Sequence, residues 1–93
     1  MKEFNNLDRL EFIELIQKKF HEGELEFGDV VKLVRTQLYK KTQSDFAKLI
    51  NISDRTLRDI EKNNTDPRLS IMKKVLKPCG FDLSITVSSR IIK

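Results

Sequence analysis

The stretch that most constrains this chain runs over residues 43–63, QSDFAKLINISDRTLRDIEKN. It holds two short amphipathic helical patterns separated only by Asn51, Ile52 and Ser53. In the first, Phe46, Ala47, Leu49 and Ile50 supply a buried side; in the second, Leu57 and Ile60 face inward at an i, i+3 spacing. So short a break makes the two helices cross over a tight turn. Close crossing needs a small contact residue, and Ala47 meets that need without losing helix propensity. Asn51 suits the turn, because a left-handed backbone is supplied best by glycine and next best by asparagine. Ile52 is expected to plug the space between the helices while Ser53 caps the second. Thr42 is expected to cap the first, with Asp45 reaching back in a variant of the capping box.

The flanking segments show how such a unit would be held. Residues 7–21 carry Leu7, Leu10, Ile13, Ile16, Gln17 and Phe20 at three- and four-residue steps, one stripe of a helix. Phe12 and Leu15 widen the stripe, which suits a helix covering the core and also a dimer or partner-binding surface. Asn6 is expected to cap this helix and Gly23 to stop it. A second helix is predicted over residues 28–39, with Val30, Val31, Leu33, Val34 and Leu38 as its apolar face. Asp29 suits its positive end, Arg35, Lys40 and Lys41 gather toward the other, and Phe27 packs back as a staple. Asp66 and Pro67 are expected to open a fifth helix, with an acidic cap and proline at the first position. Leu69, Met72, Val75 and Leu76 form its stripe, and Pro78 ends it near Lys77.

After Gly80 the period changes. Phe81, Leu83, Ile85 and Val87 alternate with polar residues, a strand pattern. A lone strand leaves unpaired backbone groups, and pairing with a second copy about a two-fold axis is the economical solution. An extension packed on its own domain, or an edge ordered by a partner, are the alternatives. The chain thus divides into an N-terminal amphipathic helix (1–24), a central helical domain (25–79), and a strand and tail (80–93).

Composition narrows the class of function. Cys79 is the only cysteine and His21 the only histidine, with no metal-ligand spacing and no glycine-rich phosphate loop; an enzyme, a cofactor or a metal is not expected. No apolar run spans a membrane, and the opening MKEFNNLDRL lacks a signal-peptide pattern, so cytoplasmic residence is the expectation. Residues 1–29 carry four basic and eight acidic side chains; residues 40–77 carry ten basic and five acidic. The positive excess therefore falls on residues 40–77, the segment that contains the two-helix unit, as a phosphate-binding face requires.

Two helices crossing over such a turn form a helix-turn-helix, whose second helix can enter a DNA major groove. The stretch TQSDFAKLINISDRTLRDIEKN resembles the motif of the lambda-repressor-like (XRE) family in Gln43, Ala47, Ile52, Ser53, Leu57 and Glu61. It departs at Asn51, where that family usually has glycine. The resemblance implies a mainly α, lambda-repressor-like bundle of about five helices with one C-terminal β-strand, paired across a dimer. KLVR, TQSDFAKLI, SDRTLRDIEKN and the FDLSITV strand look most like the HipB-type antitoxins of that family. This implies a cytoplasmic, nucleoid-associated homodimer that represses its own toxin-antitoxin operon at a palindromic operator and binds a HipA-like kinase toxin. The N-terminal helix is an addition to that pattern, and itself a candidate surface for a toxin.

On this docking geometry Arg55 and Arg58 are the leading base readers, because a guanidinium forks onto guanine O6 and N7. Ser53 and Asp54 lie beside them; Asp54 can accept from a cytosine amine or orient an arginine. Arg58 has an alternative as a surface ion pair with Asp54 or Glu61. Gln43 is the main candidate for holding a backbone phosphate, with Thr42, Thr56, Lys62 and Arg68 as further phosphate contacts. Glu61 is assigned to structure, tying the motif to the neighbouring helix, as the family resemblance implies. Phe81, Leu83, Ile85 and Val87 are the dimerisation residues. Two rivals remain: a free-standing XRE-type regulator, and a protein-interaction module on a retained scaffold, which Asp54 and Asp59 favour because they repel phosphates.

Overall fold

The computed structural model describes residues 4–79 and 81. The described residues are mainly helical. Helix α1 spans Arg9–His21 and α2 spans Phe27–Leu33, running on as a π-helical segment over Val34–Tyr39. Helices α3 (Gln43–Leu49) and α4 (Asp54–Glu61) form the two-helix unit, and α5 (Leu69–Leu76) ends in a 3-10 turn, Lys77–Cys79.

Local chemistry accounts for most of these boundaries. The α1 cap is Asp8, not Asn6: the Glu11 amide donates to Asp8 Oδ1 (2.8 Å) and the Asp8 amide to Glu11 Oε1 (3.2 Å), a full capping box. Asn6 instead takes a left-handed turn conformation, φ +63°. At the start of α2 the Glu26 amide donates to Asp29 Oδ2 (2.8 Å). The Asp45 amide donates to Thr42 Oγ1 (3.1 Å), but the Thr42 amide does not donate back to the Asp45 carboxylate. Asp66 does not cap α5, whose first turn begins two residues beyond Pro67, with Arg68 at the cap position.

Three helices end in one way. The amides of Gly23 and Glu24 turn back to Phe20 and Lys19, those of Asn51 and Ile52 to Lys48 and Ala47, and those of Asn63 and Asn64 to Ile60 and Asp59. Each is a Schellman motif, and its left-handed residue is Gly23, Asn51 or Asn63.

Val31 of α2, Val34 of the π-helical segment, Phe46 and Ala47 of α3, Leu57 and Ile60 of α4, and Val75 of α5 form the centre of the core. Ala47 is fully buried, as a close α3–α4 crossing demands. Only part of the predicted α1 stripe turns inward, Leu7 and Ile16, together with the Phe12 and Leu15 that widen it. Phe12 and Ile16 are buried, with Phe4 edge-on to Phe12 at 5.6 Å, whereas Leu10 is 65% and Phe20 47% exposed. Six apolar residues on so short a helix span more than one face, and α2 covers only one. Leu49 and Leu69 also lie outside the core, contrary to their assigned stripes. Phe81 packs against the core, its amide donating to the Leu76 carbonyl (3.2 Å). The expected strand residues Leu83, Ile85 and Val87 lie outside the described residues.

Candidate nucleic-acid interface

The turn between α3 and α4 has the geometry its residues require. Asn51 adopts φ +59°, Ile52 is half-buried against the core, and Ser53 accepts from the Thr56 amide (3.1 Å) as the α4 cap. The Ser53 hydroxyl also donates to Thr56 Oγ1 (2.7 Å), so both side chains serve the cap first. Leu57, Ile60 and Glu61 anchor one side of α4 in the core. Asp54, Arg55 and Arg58 are exposed on the rest of the helix, and Asp59 is half-exposed. Neither arginine has an ion-pair partner among the described residues, so the alternative of an Arg58 pair with Asp54 or Glu61 is not realised.

Glu61 is committed elsewhere. Its carboxylate accepts from Arg35 Nε (2.7 Å) and Nη2 (2.9 Å), a forked pair with side chains 3% and 11% exposed. Gln43 Nε2 donates to the same carboxylate (3.0 Å), and Arg35 Nη1 to the Lys41 carbonyl (2.9 Å). One buried carboxylate thus ties together the end of α2, the loop after it, the start of α3 and the end of α4. Gln43, half-buried, keeps its second amide hydrogen and its carbonyl for a further partner. Lys62 is exposed at the end of α4 and Arg68 at the start of α5. Thr42, exposed and already capping α3, stands beside Gln43.

A second brace joins the start of α2 to the turn after α4. The Gly28 amide donates to Asn63 Oδ1 (2.8 Å), and Asn63 Nδ2 reaches Asp29 Oδ1 (3.3 Å). A Cβ at Gly28 would collide with the Ile60 carbonyl and the Asn63 side chain, so α2 and α4 approach at a point that only glycine allows. Sequence reading placed Arg35 merely toward a helix end and assigned no role to Gly28 or Asn63. A glycine in the first turn of an otherwise regular apolar pattern was the one available sign of close approach.

Among the described residues no helix is long and apolar enough to cross a membrane, and no group of His, Cys, Asp and Glu is placed to hold a metal. A family model described as "Helix-turn-helix" matches residues 31–85, more than half of the chain. No curated relative and no solved structure matches it.

Proposed function

The chain belongs to the XRE-type helix-turn-helix family, a family of DNA-binding regulators that are typically not enzymes, and we propose that it is a sequence-specific repressor in which Arg55 and Arg58 read the operator. The observation that carries this reading is α4 itself: one side is locked into the core, and the other presents two unpaired arginines one helical turn apart. Each guanidinium is worth about 1–3 kcal/mol of base discrimination when it forks onto guanine. Ser53 and Asp54 sit at the N-terminal turn of α4, the end that meets base edges in this docking mode. Thr42, Gln43, Thr56, Lys62 and Arg68 then hold the backbone, fixing register without reading sequence. A single short helix makes few base contacts. The repressor therefore acts as a homodimer on a palindrome, with half-sites about 34 Å apart, joined through Phe81, Leu83, Ile85 and Val87.

The test is a titration of the DNA upstream of the reading frame against a scrambled duplex, at moderate salt. The wild-type chain is expected to prefer the upstream fragment and Arg55→Ala to lose that preference while keeping its oligomeric state. Equal operator affinity for the variant would refute the role given to Arg55.

A finer reading is an antitoxin that represses its own operon and holds a kinase-like toxin. The exposed Leu10 and Phe20 on α1 favour it, because they lie on a helix outside the DNA-reading unit. A kinase-like reading frame beside this one, whose product co-purifies with the chain and is released by Leu10→Glu with Phe20→Glu, would support it. Co-purification indifferent to that double change would move the contact off α1.

A further inference from the structure

Four helix ends among the described residues pass through a left-handed backbone: Gly23, Lys40, Asn51 and Asn63. Glycine and asparagine tolerate that conformation; lysine does not, because its Cβ crowds the following carbonyl. Lys40 nevertheless sits at φ +54°, ψ +47°. Local hydrogen bonds hold it there. The amides of Lys40 and Lys41 both turn back to the Arg35 carbonyl, closing the π-helical end of α2, and Arg35 Nη1 grips the Lys41 carbonyl at 2.9 Å. The same guanidinium is fixed to Glu61 on α4. Lys40 and Lys41 are therefore presented on a braced loop, both exposed, with neither ammonium paired among the described residues. The nearest buried carboxylate, Glu61, is already taken by Arg35 and Gln43.

Strain that the surrounding structure over-determines concentrates at functional positions, and here it holds a cation where glycine would be relaxed. The loop leads directly into α3, the helix that crosses the sugar-phosphate backbone in this docking mode. We propose that Lys40 and Lys41 form a clamp for the phosphate backbone of double-stranded DNA, flanking the base-reading helix, and that the strain at Lys40 is retained for its charge. The proposal rests on the DNA-binding reading above and adds to it a pair of residues outside the two-helix motif. Such contacts raise affinity on every sequence and carry no base preference.

The test combines thermal melts with DNA titrations over a range of salt, using Lys40→Gly, Lys40→Arg and the double variant Lys40→Gly/Lys41→Ala. Lys40→Gly is expected to melt at a higher temperature and yet bind DNA more weakly. Each lost phosphate contact lowers the slope of log affinity against log salt by about 0.9 per bound subunit, about an eightfold loss between 1 M and 0.1 M salt. The ratio of upstream to scrambled affinity stays unchanged, and Lys40→Arg keeps the wild-type slope. A merely structural role would move stability and affinity in the same direction. The clamp is overturned if the wild-type chain binds DNA and the double variant shows the same salt slope. If the wild-type chain forms no complex with either duplex, the DNA-binding reading itself fails and takes the clamp with it.

Discussion

The Arg35–Glu61 pair offers the sharpest quantitative test of how this domain is held. Its side chains are 11% and 3% exposed, so the pair belongs to the buried class, in which deleting one partner strands the other charge. Arg35→Met keeps most of the side-chain volume and removes the guanidinium. The Glu61 carboxylate is then left with the Gln43 amide alone, at a loss of about 3–5 kcal/mol. Against a total stability of roughly 5–14 kcal/mol for a domain this size, that is a large share. It corresponds to a melting-temperature drop of at least about 12 °C. Glu61→Leu is expected to lose slightly less, because Arg35 keeps the Lys41 carbonyl. The double variant removes both charges and should lie within about 2 kcal/mol of the wild type, giving a coupling energy above about 2 kcal/mol. Urea titrations of all four proteins, with a common slope as the check on two-state behaviour, measure the cycle. Single losses below about 1 kcal/mol that add in the double variant would show the pair to behave like an exposed one and refute the reasoning.

Gly28→Ala drives a Cβ into the Ile60 carbonyl and breaks the bond from the Gly28 amide to Asn63, so a loss of about 2–4 kcal/mol is expected by urea titration. Asn51→Val puts a β-branched residue at φ +59° and should cost about 1–2 kcal/mol, whereas Asn51→Gly should match or exceed the wild-type melting temperature. Removing residues 82–93 is expected to shift the chain from dimer to monomer in sedimentation, with its helical circular dichroism retained; an unchanged sedimentation profile would remove strand pairing as the basis of the dimer.

What was legible in the sequence, and what was not, divides along a physical line. Local features were readable: Thr42 and Ser53 as caps, Asn51 as the left-handed residue, and Leu57 and Ile60 as the inward face of α4 all depend on neighbours within one helical turn. Helix α1 was harder. Its apolar residues run around more than half of the cylinder, and which face is buried depends on where α2 lies, a fact of tertiary packing. The Arg35–Glu61–Gln43 hub spans 26 residues in sequence, and nothing near Arg35 distinguishes it from an ordinary cation at a helix end. Resemblance to a family supplied the structural role of Glu61, but not its partner. The strain at Lys40 was equally hidden, because it arises from the π-helical end of α2, which no apolar periodicity forecasts.

The hub is polar for a reason that stability alone does not supply. An apolar pair would hold α2 against α4 about as well, since buried ion pairs gain little over well-packed hydrophobic residues. What an apolar pair lacks is directed hydrogen bonding. Arginine has five donors in a fixed fork, and here they reach both the Glu61 carboxylate and the Lys41 carbonyl, while the carboxylate also holds the Gln43 amide. The hub thus sets the positions of a loop carbonyl and a glutamine that lie on the proposed backbone-contacting side. The double variant Arg35→Met/Glu61→Leu separates the two roles. It should fold with near wild-type stability but bind DNA several-fold more weakly on operator and scrambled duplex alike, because orientation of Gln43 and of the lysine loop is lost while Arg55 and Arg58 are untouched. Wild-type DNA affinity in that variant would reduce the hub to a structural brace; a selective loss on the operator alone would mean that it positions α4 and not the backbone contacts.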